Sequence, residues 1–250
     1  MGNHLFSPDS FVWSKIDSTE RCSHPYQLTL LNVAFEDIPD FETKMGQLSD
    51  LSKKVGLEEK YDWLTYTTDS NKYLIVNFSN GLSDVLGVDS YRKAFQNIEK
   101  AEEFDNIIGD LQQLDIQVER NYVIQMLLPW STVEEISVSE FPLATMIEYN
   151  VPINKIESFD TAIGTLADLL KKTKYPYPLE SNRGSIGGYG TVAFVWFYDN
   201  RNDFFGKNNL LQWMKEHKRM EKFQSIMEIM EKTYRSKNTY NFDYQKALSY

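Results

Sequence analysis

The chain has one cysteine, Cys22, so it can form no internal disulfide. That fits a reducing compartment without excluding export. Its three histidines, His4, His24 and His217, are scattered, and no His/Glu pair stands at helical spacing. No structural zinc site, and no other metal, is therefore expected. No apolar run approaches the roughly 20 residues of a membrane span, and no apolar signal core follows Met1. The expected state is soluble, either cytoplasmic or exported with a signal peptide absent from this sequence. Lys and Arg form no stripe, and the net charge is −10 with a pI near 4.9. Nucleic acid and anionic membrane surfaces are poor partners for such a surface. No Ser-His-Asp or Cys-His spacing and no acid/base carboxylate pair can be picked out, which leaves open whether the chain is an enzyme.

What is present is a repeat. Phe41-Glu-Thr-Lys-Met-Gly-Gln-Leu-Ser-Asp-Leu-Ser-Lys-Lys54 and Phe159-Asp-Thr-Ala-Ile-Gly-Thr-Leu-Ala-Asp-Leu-Leu-Lys-Lys172 share F-[ED]-T-x-[MI]-G-x-L-x-D-L-x-K-K without a gap, 118 positions apart. Asp84-Val-Leu-Gly87 matches Asp203-Phe-Phe-Gly206, and Glu102-Glu-Phe104 matches Glu221-Lys-Phe223, both at 119. A near-constant offset across both halves is the mark of internal duplication. The division expected is an arm over 1–25, a first repeat over 26–130, a linker over 131–142 and a second repeat over 143–250.

Each repeat reads βαββαβ. Phe41, Met45, Leu48, Leu51 and Val55 form the apolar stripe of an amphipathic helix, repeated by Phe159, Ile163, Leu166 and Leu169. Strands are expected at 28–35, 61–68, 73–79 and 122–128, then at 143–151, 185–189, 191–198 and 239–244. Second helical regions span 90–114 and 208–234. Asp69-Ser-Asn-Lys72 has the composition of a hairpin turn. The class is α+β, with two tandem ferredoxin-like units. The third strand of each is apolar on both faces, so the second face needs a cover. The other unit's sheet supplies it, closing an intramolecular α+β barrel.

This order and its duplication resemble the dimeric α+β barrel superfamily in tandem, single-chain form, over about residues 26 to 245. Its members include antibiotic-biosynthesis monooxygenase-like proteins, heme-degrading monooxygenases, chlorite-dismutase-like heme proteins and stress-responsive barrel proteins. The resemblance implies either a cofactor-independent monooxygenase-like or small-molecule-binding barrel, or a non-catalytic structural or partner-binding one. A homo-oligomer is compatible with each. Heme binding ranks third. The heme-degrading members bring an Asn, a Trp and a His together; Asn32 lies on the first strand, but the first repeat's second helix lacks a Trp or His to complete the set.

Positions where the repeats differ mark candidate sites. Asn77 and Ser79 become Trp196 and Tyr198, while Ala94 and Ile98 become Trp213 and His217. The expected pocket is in the second repeat, lined by Trp196, Tyr198, Trp213, Arg183 and Arg201 with Asn77 and Asn32, and holds a small apolar or aromatic molecule. Trp196 and Tyr198 are expected to face the barrel interior, with Ala193, Val195 and Phe197 toward the helices. Arg183, in the Gly-rich run Asn182–Gly190, and Arg201 are candidates for contacts at the barrel end. His217 is the only candidate axial ligand for a heme; charged neighbours make it equally a solvent-facing residue. The bland alternative throughout is that these aromatics fill core.

Overall fold

The computed structural model describes residues 26–56, 63–68, 72–78, 88–97, 99–127, 130–132, 140–186 and 190–249. The expected arm with Cys22, His4 and His24, the turn 69–71, Ser79, Asp84, Ile98, the linker stretch 133–139 and Gly187–Tyr189 lie outside these. The first unit comprises β1 (Tyr26–Val33), α1 (Ile38–Val55), β2 (Trp63–Thr67), β3 (Lys72–Phe78), α2 (Val88–Asn97), α3 (Ala101–Leu111) and β4 (Ile116–Met126). The second repeats that order with β5 (Leu143–Asn150), α4 (Ile156–Thr173), β6 (Leu179–Ile186), β7 (Thr191–Tyr198), α5 (Leu210–Glu216), α6 (Met220–Glu231) and β8 (Ser236–Tyr244).

The strands close into one antiparallel barrel, β1-β3-β2-β8-β5-β7-β6-β4. Each unit contributes its fourth, first, third and second strands in that order. The seams are β4–β6, from Val123↔Ile186 to Met126↔Asn182, and β2–β8 at Tyr66↔Tyr244 and Thr67↔Asp243. Phe41 and Phe159 are both buried, as are Phe104 and Phe223.

Three expectations needed correction. The second helical regions are each two helices, broken where Glu99 and Lys218 take φ of 57° and 55°. Lys100 N then donates to Phe95 O and Arg219 N to Met214 O. Neither break carries glycine, so composition gave no warning. The strand expected at 185–189 begins at Leu179: its polar stretch Glu180–Arg183 is held extended by β4 and β7 on either side, not by its own propensity. Asn182 to Ile186 are therefore strand residues, not a loop at the barrel mouth.

The third correction concerns which way β7 faces. Ala193, Val195 and Phe197 point into the barrel, with Leu28, Leu74 and Tyr122. Val192, Phe194 and Trp196 pack against α4 and α6. The alternation was legible; its direction was not, because both faces are apolar. An eight-stranded barrel leaves an interior just wide enough for side chains to fill, so the largest side chain of the strand lies on the helix side.

Each unit also covers the other with the segment after its last strand. Past β4, Leu127 N donates to Ser181 O (2.8 Å), Ser181 N to Ser131 Oγ (2.9 Å) and Ser181 Oγ to Trp130 O (2.6 Å). Past β8, Gln245 N donates to Thr65 O (2.8 Å), Thr65 N to Ser249 Oγ (2.9 Å) and Thr65 Oγ1 to Leu248 O (2.9 Å). This accounts for the helical glycine of the second unit, though not for its counterpart in the first. A Cβ on Gly164 would stand 3.3 Å from Trp130 Cδ1, and one on Gly46 would stand 3.9 Å from Ala247 O. The segment past β8 takes a hydrogen bond from buried Ser49, while Leu48, expected in the stripe, is half-buried.

Among the described residues, two clusters of polar side chains enter the mainly apolar barrel interior. Tyr122 donates to Glu148 (3.1 Å), which Arg120 approaches at 3.5 Å. Tyr26, from β1, donates to Asn182 Oδ1 (2.6 Å) and lies 3.4 Å from Glu180 Oε2 on β6. Burial pushes the Glu180 carboxyl up to about 7, against the smaller opposing effects of Asn182 and Tyr26.

Two stability measurements follow. Gly46→Ala should gain about 0.5–1 kcal/mol from helix propensity, whereas Gly164→Ala should fall about 1 kcal/mol short of that because Trp130 must move; denaturant midpoints of the two decide. For Glu180 the folded state keeps a proton that the unfolded chain has released. The stability this gives is complete below the ordinary carboxylate range and is lost as pH rises through about 7. The loss is on the order of 3 kcal/mol at about 1.4 kcal/mol per pH unit. Glu180→Gln should flatten that part of the stability–pH curve and exceed the parent in stability above pH ~8.

Candidate functional site

In the second unit a cavity of about 290 Å³ lies between the sheet and its helices. Its sheet wall is built by alternation: Thr145, Ile147 and Tyr149 from β5, Phe194 and Trp196 from β7, and Thr239 from β8 share the helix-facing side. Helices α4 and α6 supply Leu166, Phe223, Met227 and Met230. The rim comes from Asn209, Leu210 and a π-helical turn, Asp203–Lys207, which carries Phe204 and Phe205. Such wide turns are frequent at functional sites. Phe205 is 52% exposed while also lining the cavity, so the mouth opens there.

The walls are held by ring contacts. Trp196 meets the edge of Tyr175 at 5.7 Å and 89°, and Phe204 stacks on Tyr198 at 4.3 Å and 3°. The Tyr198 hydroxyl is 3.1 Å from Thr145 Oγ1, which donates to Asn241 Oδ1 (2.8 Å). The Tyr175 hydroxyl donates to Asn208 O (3.0 Å). Among the described side chains none that lines the cavity is charged. Its ionisable groups are Tyr149 and Tyr175, and burial raises both well above the ordinary phenol range, with Tyr234 and Tyr177 adding in turn.

Of the residues singled out from sequence, Trp196 lines the cavity and Tyr198 backs it through Phe204. Trp213 stands one ring further out, 5.7 Å from Tyr175, and its buried Nε1 has no partner. The other candidates lie elsewhere. Arg183 is ion-paired with Asp160 and sits 5.2 Å over the Trp130 ring. Arg201 pairs with Asp243 at 2.6 Å. Asn77, on β3 between Gln27 and Trp63, and Asn32, on β1 between Lys72 and Gln117, belong to the first unit. Tyr175, Phe204 and Phe205 went unremarked in the sequence. Their signal was available: Phe204-Phe205 replaces Val85-Leu86, and Tyr175-Pro-Tyr-Pro178 leads into β6.

The described residues of the cavity do not fit a heme. Among them no histidine lines the cavity. His217 is exposed, stacked on Trp213 at 4.3 Å, with Nδ1 2.8 Å from Trp213 O. The cavity is smaller than a porphyrin needs and offers no cation for its propionates. Among the described residues no group of three His, Cys, Asp or Glu could hold a metal ion, and no helix is long and apolar enough to cross a membrane.

No protein-family model matches the chain, and no curated protein matches it in sequence. Solved structures do match in fold. A proposed monooxygenase from Fusobacterium nucleatum aligns with TM-score 0.55 and 9% identity over 90% of this chain and 94% of its own. A proposed monooxygenase from Lactobacillus acidophilus aligns with TM-score 0.53 and 13% identity over 89% and 94%. A heme-binding protein from Thermus thermophilus aligns with TM-score 0.51 and 10% identity over 91% and 95%. These likenesses show the fold alone: a closed eight-stranded antiparallel α+β barrel, here completed within one chain.

Trp196 is 6% exposed. Trp196→Ala should therefore cost about 3–5 kcal/mol in a denaturant melt, while His217→Ala should stay within ~0.5 kcal/mol of the parent.

Proposed function

We propose that this chain is a small-molecule-binding barrel protein whose second unit takes a neutral apolar or aromatic molecule between sheet and helices. The observation that carries the proposal is the cavity of about 290 Å³, walled by Trp196, Phe194, Tyr175 and Phe204, with no charged side chain among the described residues that line it. That volume is at the lower end of ligand pockets, roughly 300 Å³ upward, so a molecule of one or two fused rings suits it. Thr239 and Asn209 can orient one hydroxyl or carbonyl. An anion would lose its hydration there without meeting a cation.

The fold neighbours support a small-molecule role at the level of fold. Monooxygenase-like catalysis in this cavity would need a group that moves a proton near neutral pH. Its tyrosines stay protonated, so binding is the reading the site supports better.

The neutral dye N-phenyl-1-naphthylamine tests this. The parent should bind it saturably with a rise in fluorescence. Met227→Trp, which fills the cavity, should weaken binding roughly tenfold or more, equivalent to about 1.4 kcal/mol, and Arg183→Ala should leave it unchanged. Absent saturation, or equal affinity in parent and Met227→Trp, would leave these aromatics as core of a structural or partner-binding barrel.

A further inference from the structure

We propose that one end of the barrel is the contact face of a homodimer, where a second copy of this chain docks end to end, each copy's second unit lying over the other's first. The inference does not rest on the helix-side cavity. The π-helical turn at the cavity mouth follows β7, which runs opposite to β5 and so finishes at the other end of the barrel.

The first support is a pair of exposed apolar side chains at one repeat position. Phe35 is 77% exposed and Ile153 61%, the highest values among the large apolar residues described. They stand 118 positions apart, the offset of the duplication. Each opens a short helical turn, Phe35–Asp37 or Ile153–Lys155, between the first strand and first helix of its unit. Topology puts both turns on one surface. From β1 the barrel passes through β3, β2 and β8 to β5, every step antiparallel, so β1 and β5 run the same way. They lie halfway round the ring from each other and deliver Phe35 and Ile153 to opposite sides of the same end. Val118, 59% exposed on β4, lies on the Phe35 side, beside Leu31 in the ladder. One bare apolar residue is ordinary. The same position bare in both units, with a third apolar side chain beside it, is a patch built for contact.

The second support is charge. Around Phe35 the edge is acidic: Glu36 and Asp37 are in its turn, and Asp115, whose N–H donates to Asp37 Oδ2 (2.7 Å), precedes β4. Glu119 is offset by Lys72 at 2.7 Å. In the second unit the sign is reversed. Lys155 stands where the first unit has Asp37, and Arg235 and Lys237 stand where it has Ile116 and Val118. All three bases are exposed, with Glu157 the nearby acidic exception.

These signs choose the arrangement. Two barrels meeting end to end about a twofold axis can set like units or unlike units over each other. Like units would press Glu36, Asp37 and Asp115 against their own copies. Unlike units set acid on base twice and bring Phe35 over Ile153 of the second copy. The chain's net charge of −10 makes two copies repel at a distance, so association needs such a locally matched patch.

Sedimentation velocity of the full chain from roughly 1 to 200 µM tests this, a range in which a modest interface dissociates. The parent should pass from monomer to dimer mass. Ile153→Asp, which sets a carboxylate against the acidic edge, should weaken association roughly tenfold or more. Glu36→Lys and Lys155→Glu should each do the same, while the two together should return to within about threefold of the parent, because the exchanged signs match again. Glu36→Lys discriminates: it reduces the net negative charge, so repulsion between whole molecules would predict tighter association. Far-UV circular dichroism should be unchanged in every variant, since these side chains are exposed. Monomer mass throughout, tighter association of Glu36→Lys, a double variant that is not restored, or a dimer lost instead through Ile229→Glu in the groove between α4 and α6 would each overturn the proposal.

Discussion

A four-stranded sheet with two apolar faces has only one layer of helices to cover them, and the rest of this structure follows from that shortage. In each unit the helices take one face. The other would stand in water, at a cost proportional to its apolar area. The two inner faces meet instead, and eight strands close with no free sheet edge along the seams. The duplicated sequence is thus two halves of one core, not two domains that touch.

Closure is reinforced by exchange. The segment past β4 bonds to β6 of the second unit, and the segment past β8 bonds to β2 of the first, through matching donors and acceptors at Ser181 and Thr65. Where those segments cross α4 and α1, a side chain would crowd them most at Gly164. Buried Ser49 on α1 belongs to the same contact, donating to Ser249 O at 2.5 Å. A helix stripe that looks irregular from its own sequence is regular once the crossing segment is counted as part of the core.

The units keep the same frame and spend their helix-side layers differently. In the first, Phe41 and Tyr73 pack at 4.5 Å and Phe95 stacks on Phe104 at 4.6 Å. In the second, Trp196 meets Tyr175 edge to face and Phe204 stacks on Tyr198, and these rings stand around a hollow. The barrel interior is filled by aliphatic and aromatic side chains together, and carboxyls from the second unit enter it opposite tyrosines of the first.

The sequence by itself determined the repeat, the element order and the fact that the sheets must cover each other, because period, offset and apolar count are properties of the chain alone. It pointed to Trp196 and Tyr198 by their departure from Asn77 and Ser79. Only the tertiary structure decided which face they occupy, for alternation says which residues share a side and not which side is inward. It also decided that Arg183 and Arg201 are engaged by Asp160 and Asp243, that polar Glu180–Arg183 runs as strand, and that Tyr175 and Phe204 complete the wall. Each of these depends on partners distant in the sequence, and a side chain's chemistry is set by the partners it is folded against.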